Sequence, residues 1–352
     1  MKSNTLERMD FMQGRRKLAI LLVSIFIIPS ITGCFGKDDS EDDSDLEEIR
    51  INHLRMKGSH NSYHVKSPVL SWYQPVNYTH ASMDIQADRL GVRQFELDVW
   101  YVPGVGLRVY HYVGDDYTNC KGFSGCLQVL LNWSTSNPEH APIWIFIEPK
   151  DLPSAVEELD IIEMIQEELA ATWPRNRTVT PEDVQGDAET LREGIVNNGW
   201  PTLKDSRGKV LFVMLDKTEI RDLYVERYPT LDGQWMFAIV DEAEPLASVI
   251  SFINPETQQE RLQNASSTGF MIRTRPDSDT IEAREGNYSR FELALSSGAH
   301  FITTDFPGND REIDYSIWLP EGPVMCNPHT APAHCTTRMI EPWGNYTPLP
   351  SM

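Results

Sequence analysis

Positive charge is scarce in this chain. Its 352 residues hold 31 Lys and Arg against 52 Asp and Glu, a formal net charge of −21. That balance argues against a nucleic-acid partner, because neutralising phosphates needs clustered Lys and Arg. It equally argues against tight electrostatic attachment to anionic lipid. Long apolar runs are scarce too. The stretch from Leu18 to Ile31 is too short and too one-sidedly flanked for a membrane span. Arg15, Arg16 and Lys17 precede it, which is the order of a secretion signal. It ends Ser30-Ile31-Thr32-Gly33-Cys34, resembling the lipobox at which a secreted lipoprotein is cleaved and lipid-modified on its cysteine. An uncleaved signal anchor is the alternative, and the residues after Arg15-Arg16 do not support a twin-arginine signal. The chain has only five cysteines. Apart from Cys34 they form two close pairs, Cys120 with Cys126 and Cys326 with Cys335, which in an exported chain read as local disulfides. Zinc is the rival for the second pair, since His329 and His334 lie inside it. Internal repeats are lacking.

What is present divides the chain into four stretches. Residues 1–33 are the expected leader, and 34–49 a solvated acidic tether with eight acids against Lys37. Residues 50–319 are the expected body, and 320–352 a Pro-rich, loop-rich appendix. The leader holds five Lys and Arg against two acids, so a body without leader and tether still carries −17. Short apolar runs alternate with helical patterns along it. Strands are expected at Leu54–Gly58, Arg93–Val99, Ile143–Glu148, Val210–Asp216, Trp235–Val240, Phe270–Thr274 and Phe301–Asp305. Helices are expected at Ser82–Leu90, Ser124–Ser136, Ser154–Thr172, Ala188–Asn198, Pro245–Ile253 and Tyr288–Ser297. Runs such as Ile143-Trp144-Ile145-Phe146-Ile147 are apolar on both faces, as parallel strands under helices require. The expectation is a single α/β domain, a TIM-type (β/α)8 barrel, irregular or with one strand unread.

Catalytic groups of such barrels come from strand C-terminal ends. His60 and Asn61 follow the first strand, Glu96 and Asp98 close the second, and Glu148 with Lys150 close the third; Asp216, Arg273 and Asp305 close later ones. Charges ending buried runs at one rim point to a shared polar site. Glu96 and Asp98, two apart on a strand, face the same way. Carboxylates that close repel unless a cation or proton lies between them. With Glu148 and the Asn61 amide oxygen they make an all-oxygen set suited to Ca²⁺, and less to Mg²⁺ or zinc. A structural ion-pair network with Arg93 or Arg108 is the plainer alternative. His60 and His111 are candidates for charge stabilisation and proton transfer, with His64 a weaker competitor to His111. Lys150 either neutralises phosphate or forms a salt bridge with Glu148 or Asp151.

Gly58-Ser59-His60-Asn61-Ser62-Tyr63, Glu96-Leu97-Asp98, His111 and Ile147-Glu148-Pro149-Lys150 stand in the order found in phosphatidylinositol-specific phospholipases C. The chain most resembles the calcium-dependent microbial branch of that family. Gly199-Trp200-Pro201-Thr202-Leu203, Ile272-Arg273-Thr274-Arg275 and Ser297-Gly298-Ala299-His300-Phe301 extend the resemblance over roughly Leu54 to Pro307. It implies that Asn61, Glu96, Asp98 and Glu148 ligate one Ca²⁺. His60 would then stabilise phosphoryl charge, and Glu96 or Glu148 would help remove the inositol 2-hydroxyl proton. His111 would protonate the departing diacylglycerol, and Lys150 and Arg273 would contact phosphate or inositol. Few further basic residues are at hand for a polyphosphorylated headgroup, which favours less charged ones. Outside the resemblance, the leader and the lipobox at Cys34 add the expectation of an exported, membrane-anchored lipoprotein, a monomer acting on phospholipid. A glycerophosphodiesterase is the rival enzyme, although that family has His-Arg where His60-Asn61 stands; a sphingomyelinase D-like activity is more distant. A headgroup-binding lipoprotein without turnover is the non-catalytic rival.

Overall fold

Strands that are apolar on both faces need cover on both sides, and the computed structural model of the chain supplies it. The structure describes residues 48–150, 158–215, 219–308 and 312–341. The predicted leader, Cys34, nearly all of the tether, Asp151, Asp216 and residues 342–352 lie outside these. Eight strands run parallel: β1 (Leu54–Ser59), β2 (Val92–Val102), β4 (Ile143–Pro149), β5 (Val210–Met214), β6 (Met236–Ala238), β7 (Val249–Ser251), β8 (Met271–Thr274) and β9 (Phe301–Thr304). Their order is β6-β5-β4-β2-β1-β9-β8-β7, and a parallel bridge between Ile239 and Val249 links the two ends into a nearly closed TIM-type barrel. Two short strands are added antiparallel: β3 (Gly106–Val109) on β2, and β10 (Val324–Cys326) on β1.

Helices wrap the outside. These are α1 (Met83–Asp88), α2 (Phe123–Ser136), α3 (Glu158–Thr172), α4 (Pro181–Gln185), α5 (Leu191–Asn198), α6 (Leu203–Ser206), α7 (Glu219–Arg227), α8 (Pro255–Thr268), α9 (Ile281–Glu285), α10 (Ser289–Ser296) and α11 (Thr337–Ile340). In α2 the buried residues are Phe123, Cys126, Leu127, Leu130, Trp133 and Ser134, spaced as one face of a 3.6-residue repeat. Among the described residues no helix is long and apolar enough to cross a membrane.

The segment expected as a helix at Pro245–Ile253 is a correction. It holds the buried strand β7 instead, and the β6–β7 connection carries no helix. Val249 and Ile250 are β-branched and favour a pleated surface. The helix comes one element later, as α8. Asn254 caps it by accepting from the Glu256 amide, Pro255 opens it, and Gly269 ends it at φ 107. Its apolar stripe is thin: of fourteen residues only Pro255, Leu262, Ala265 and Ser266 are buried.

Strand parity decides what fills the barrel. Trp144, Phe146 and Glu148 share one face of β4, and Gln94, Glu96 and Asp98 lie opposite them on β2 in register. The Phe301 ring on β9 lies 4.9 Å from Trp144 and 5.2 Å from Phe146. Two strands separate β4 from β9, so these rings meet only by pointing inward. The Gln94 amide fills the space beside Gly58, where a Cβ would come within 1.9 Å of Gln94 Oε1 and force that side chain to move. The barrel is thus aromatic below and carboxylate-lined above. Trp144→Ala should lower the unfolding free energy by about 3–5 kcal/mol in urea denaturation, because the ring is fully buried among Trp200, Phe237 and Phe301.

Candidate active site

The turn after β1 begins the site. Asn61 has a left-handed backbone (φ 45), a conformation asparagine tolerates better than most residues. Its carbonyl accepts from the His64 amide at 2.8 Å, closing the turn that lifts His60 over the barrel mouth. His60 Nδ1 lies 2.6 Å from Asp305 Oδ1, and His80 Nε2 donates to the His60 carbonyl at 2.8 Å. Arg275 Nη2 donates to the other Asp305 oxygen at 2.7 Å. Burial opposes charge on Asp305, but Arg275 and then His60 outweigh it and hold the carboxyl below the usual range. An ionised Asp305 requires a proton on His60 Nδ1 and turns Nε2 into the barrel mouth, where it lies 3.4 Å from Glu96 Oε1.

Glu96, Asp98 and Glu148 converge there. Each offers one oxygen, and the three oxygens lie within 4.8 Å of one another. Glu96 and Asp98 are buried and Glu148 is half-buried. Arg273 Nη2 donates to Glu96 Oε2 at 2.5 Å, and Lys150 Nζ lies 2.6 Å from Glu148 Oε1 and 2.9 Å from Asp98 Oδ2. Burial would raise the Glu96 carboxyl, yet Arg273 and His60 overcome it and hold it below its ordinary value. Asp98 goes the other way: burial and then the charge of Glu148 push it well up, despite Lys150. For Lys150 burial favours the neutral amine, and Asp98 and Glu148 outweigh it, keeping the ammonium charged.

This donor set suits a hard divalent cation. Among the described residues neither buried Asp98 oxygen has a hydrogen bond of ordinary geometry, and Lys150 approaches Oδ2 at 2.9 Å as an ion pair. Asn61 Nδ2 donates to the Tyr78 hydroxyl at 3.4 Å, and among the described residues no hydrogen bond reaches its amide oxygen. Three carboxylate oxygens and an amide oxygen are the ligand type of Ca²⁺.

His111 follows β3 on the same rim. Its Nδ1 lies 3.1 Å from Asp115 Oδ2, which also lies 3.0 Å from His64 Nε2. Burial lowers the His111 pKa, His60 and Lys150 lower it further, and Asp115 opposes them. Burial raises Asp115, but its two imidazole partners outweigh that and bring it to about 2. His64 is fully buried, with Nδ1 donating to the Tyr78 carbonyl at 3.1 Å, so it supports the site from beneath. Away from the site, disulfides join Cys120 to Cys126 and Cys326 to Cys335, so the second pair does not act as zinc thiolates.

The model of the family described as phosphoinositide phospholipase C, Ca²⁺-dependent, matches residues 49–106 and 102–328. The chain belongs to this family. Among solved structures it is similar to a Ca²⁺-dependent phosphatidylinositol-specific phospholipase C from Streptomyces antibioticus. That match has 19% identity and a TM-score of 0.55, over 74% of this chain and 95% of that one. It is also similar to a calcium-dependent phosphoinositol-specific phospholipase C from a Pseudomonas species, at 18% identity and TM-score 0.54, over 74% and 92%. No curated protein matches. Identities this low carry the shared barrel, and the family model carries the membership.

As a family member the chain is a phosphoric diester hydrolase. Glu96, Asp98, Glu148 and His60 come together, Asn61 follows His60 with its amide nitrogen on the Tyr78 hydroxyl, His111 pairs with Asp115 after β3, and Lys150 and Arg273 are both engaged with carboxylates. Sequence reasoning put Asp305 at the shared rim without a partner and counted Arg275 only among the few basic candidates for the headgroup, and it gave no role to Asp115 or Tyr78. Asp305 carries a readable signal, the end of the last inward strand; Asp115 lies in a loop whose spacing carries none. Adding Ca²⁺ at about a hundred times its Kd should raise the unfolding free energy by about 2.7 kcal/mol, and Asp98→Asn should abolish that increment in a thermal melt.

Proposed function

We propose that this chain is a phospholipase C that uses one Ca²⁺ to cleave the glycerol–phosphate bond of phosphatidylinositol-type lipids. The carrying observation is the convergence of three carboxylates beside the His60–Asp305 pair at the barrel mouth. Asn61, Glu96, Asp98 and Glu148 would hold the Ca²⁺, which would supply a lowered pKa for the inositol 2-hydroxyl and polarisation of the phosphate. His60, fixed by Asp305, aims Nε2 at the phosphoryl oxygens and stabilises charge developing there. Glu148 is the more open carboxylate, with 31% of its side chain exposed against 1% for Glu96, and among the described residues no arginine hydrogen-bonds it. It accepts the 2-hydroxyl proton. His111 returns a proton to the departing diacylglycerol oxygen, and a cyclic inositol phosphate is left.

The headgroup is one of low charge. Lys150, Arg273 and Arg275 are each already paired with a carboxylate, so little cationic capacity is left for extra ring phosphates. Exposed apolar side chains on the same rim support action at a lipid surface. Val69 and Trp72 on the β1–α1 loop and Val113 after β3 are 73%, 75% and 82% exposed. Export and anchoring through a lipid on Cys34 fit the leader and the two disulfides, which persist in oxidising compartments.

Headgroup release from a panel of phosphatidylinositol, its bisphosphate and glycerophosphoinositol, with and without chelator, tests the reading. Phosphatidylinositol is expected to be turned over only with Ca²⁺, and turnover of the deacylated compound alone would reject the proposal. His60→Ala should lower kcat by about 10²–10⁴-fold while calcium still raises the melting temperature. Asp115→Asn removes the group that raises the His111 pKa, so the protonated acid is lost earlier as pH rises. The alkaline limb of kcat should therefore move to lower pH, and an unmoved limb would remove Asp115 from the proton transfer.

A further inference from the structure

The Lys150 ammonium stands on two of the three carboxylates that converge at the barrel mouth. It lies 2.6 Å from Glu148 Oε1 and 2.9 Å from Asp98 Oδ2, whereas Ca²⁺ binds such oxygens at about 2.3–2.6 Å. Both cations cannot occupy one volume, and like charges oppose any attempt. Arg273 presents no such conflict, since it takes Glu96 Oε2 and leaves Oε1 toward the site. Lys150 is also able to leave. Its amide is fixed to the Val99 carbonyl at 2.9 Å, but its side chain is a flexible four-carbon stem, 19% exposed at the rim.

Resting on the reading of this cluster as the calcium site, we infer that Lys150 is an exchangeable counter-ion of the carboxylates that sets their calcium affinity. Its ammonium and Ca²⁺ hold the Asp98 and Glu148 oxygens in turn. With the ion absent, Lys150 compensates two carboxylates that would otherwise repel at the top of an apolar barrel. Metal entry displaces it outward, toward the position of the substrate phosphate. Ion loading and presentation of a phosphate-binding cation are then one event, and phosphate binding favours calcium by the same coupling.

Calorimetric titration of Ca²⁺ into the full chain, without substrate, tests this. Lys150→Met removes the competitor and should tighten the calcium Kd about tenfold or more, roughly 1.4 kcal/mol. Lys150→Arg keeps a cation on the same oxygens and should bind calcium no more tightly than the parent. In chelator the Met variant should melt lower than the parent, because Asp98 and Glu148 lose their partner, and calcium should restore it. A folded Lys150→Met chain with unchanged or weaker calcium affinity would overturn the inference while leaving the calcium site standing. If the Met variant fails to fold, calcium binding by Lys150→Arg tighter than the parent's would overturn it. No calcium binding by the parent would overturn the site reading itself.

Discussion

Crowding of negative charge at the mouth of an apolar barrel is the constraint around which this molecule is arranged. Glu96, Asp98 and Glu148 place oxygens within 4.8 Å of one another above an aromatic layer, with Glu96 and Asp98 shut off from water. Buried charges persist only when paired. Arg273 therefore reaches Glu96, Lys150 spans Asp98 and Glu148, and Arg275 holds Asp305. Cations in a chain of net charge −21 are few, and several are committed to this mouth. In the proposed function a divalent ion takes Lys150's place in this compensation, so the chemistry of the site and the folding of the barrel share one electrostatic problem.

The scaffold solves the placement half of that problem by register. β2 and β4 pair residue for residue from Gln94 and Trp144 to Asp98 and Glu148, so a single slip would turn the carboxylates outward into the helix layer. Gly58 lets β1 approach Gln94 closely, and the turn through Asn61 then carries His60 above the layer. The antiparallel additions serve the two ends differently. β3 extends β2 beyond the barrel and presents His111, while β10 pairs with the first residues of β1 at the opposite end, near the Cys326–Cys335 disulfide.

Much of this was legible beforehand. The apolar strands Ile143–Ile147 and Val210–Leu215 announce themselves, because burial on both faces leaves no polar residue to blur them. His60-Asn61, Glu96/Asp98 and Glu148 were readable because catalytic groups of a barrel end its strands, and a period of two assigns their face. Less was legible where signals were short or thin. β7 is three residues long and was taken up into a helix, while α8 buries too few apolar residues to display a period. Lys150 reads from sequence as a phosphate contact or a salt bridge to Glu148 or Asp151, and the structure shows the bridge to Glu148 together with Asp98; Arg273, expected at phosphate or inositol, meets Glu96.

By itself, then, the sequence determined the barrel class, the inward positions at the strand ends and the oxygen-rich donor set. Periodicity and residue chemistry are local properties, and they survive without coordinates. Only the tertiary structure decided who pairs with whom. His60 with Asp305 joins residues 245 apart, Glu96 with Arg273 joins residues 177 apart, and Asp115 lies between two histidines from different loops. Such partnerships depend on barrel closure, which brings the first and last strands side by side, and no local pattern encodes a contact made across that seam.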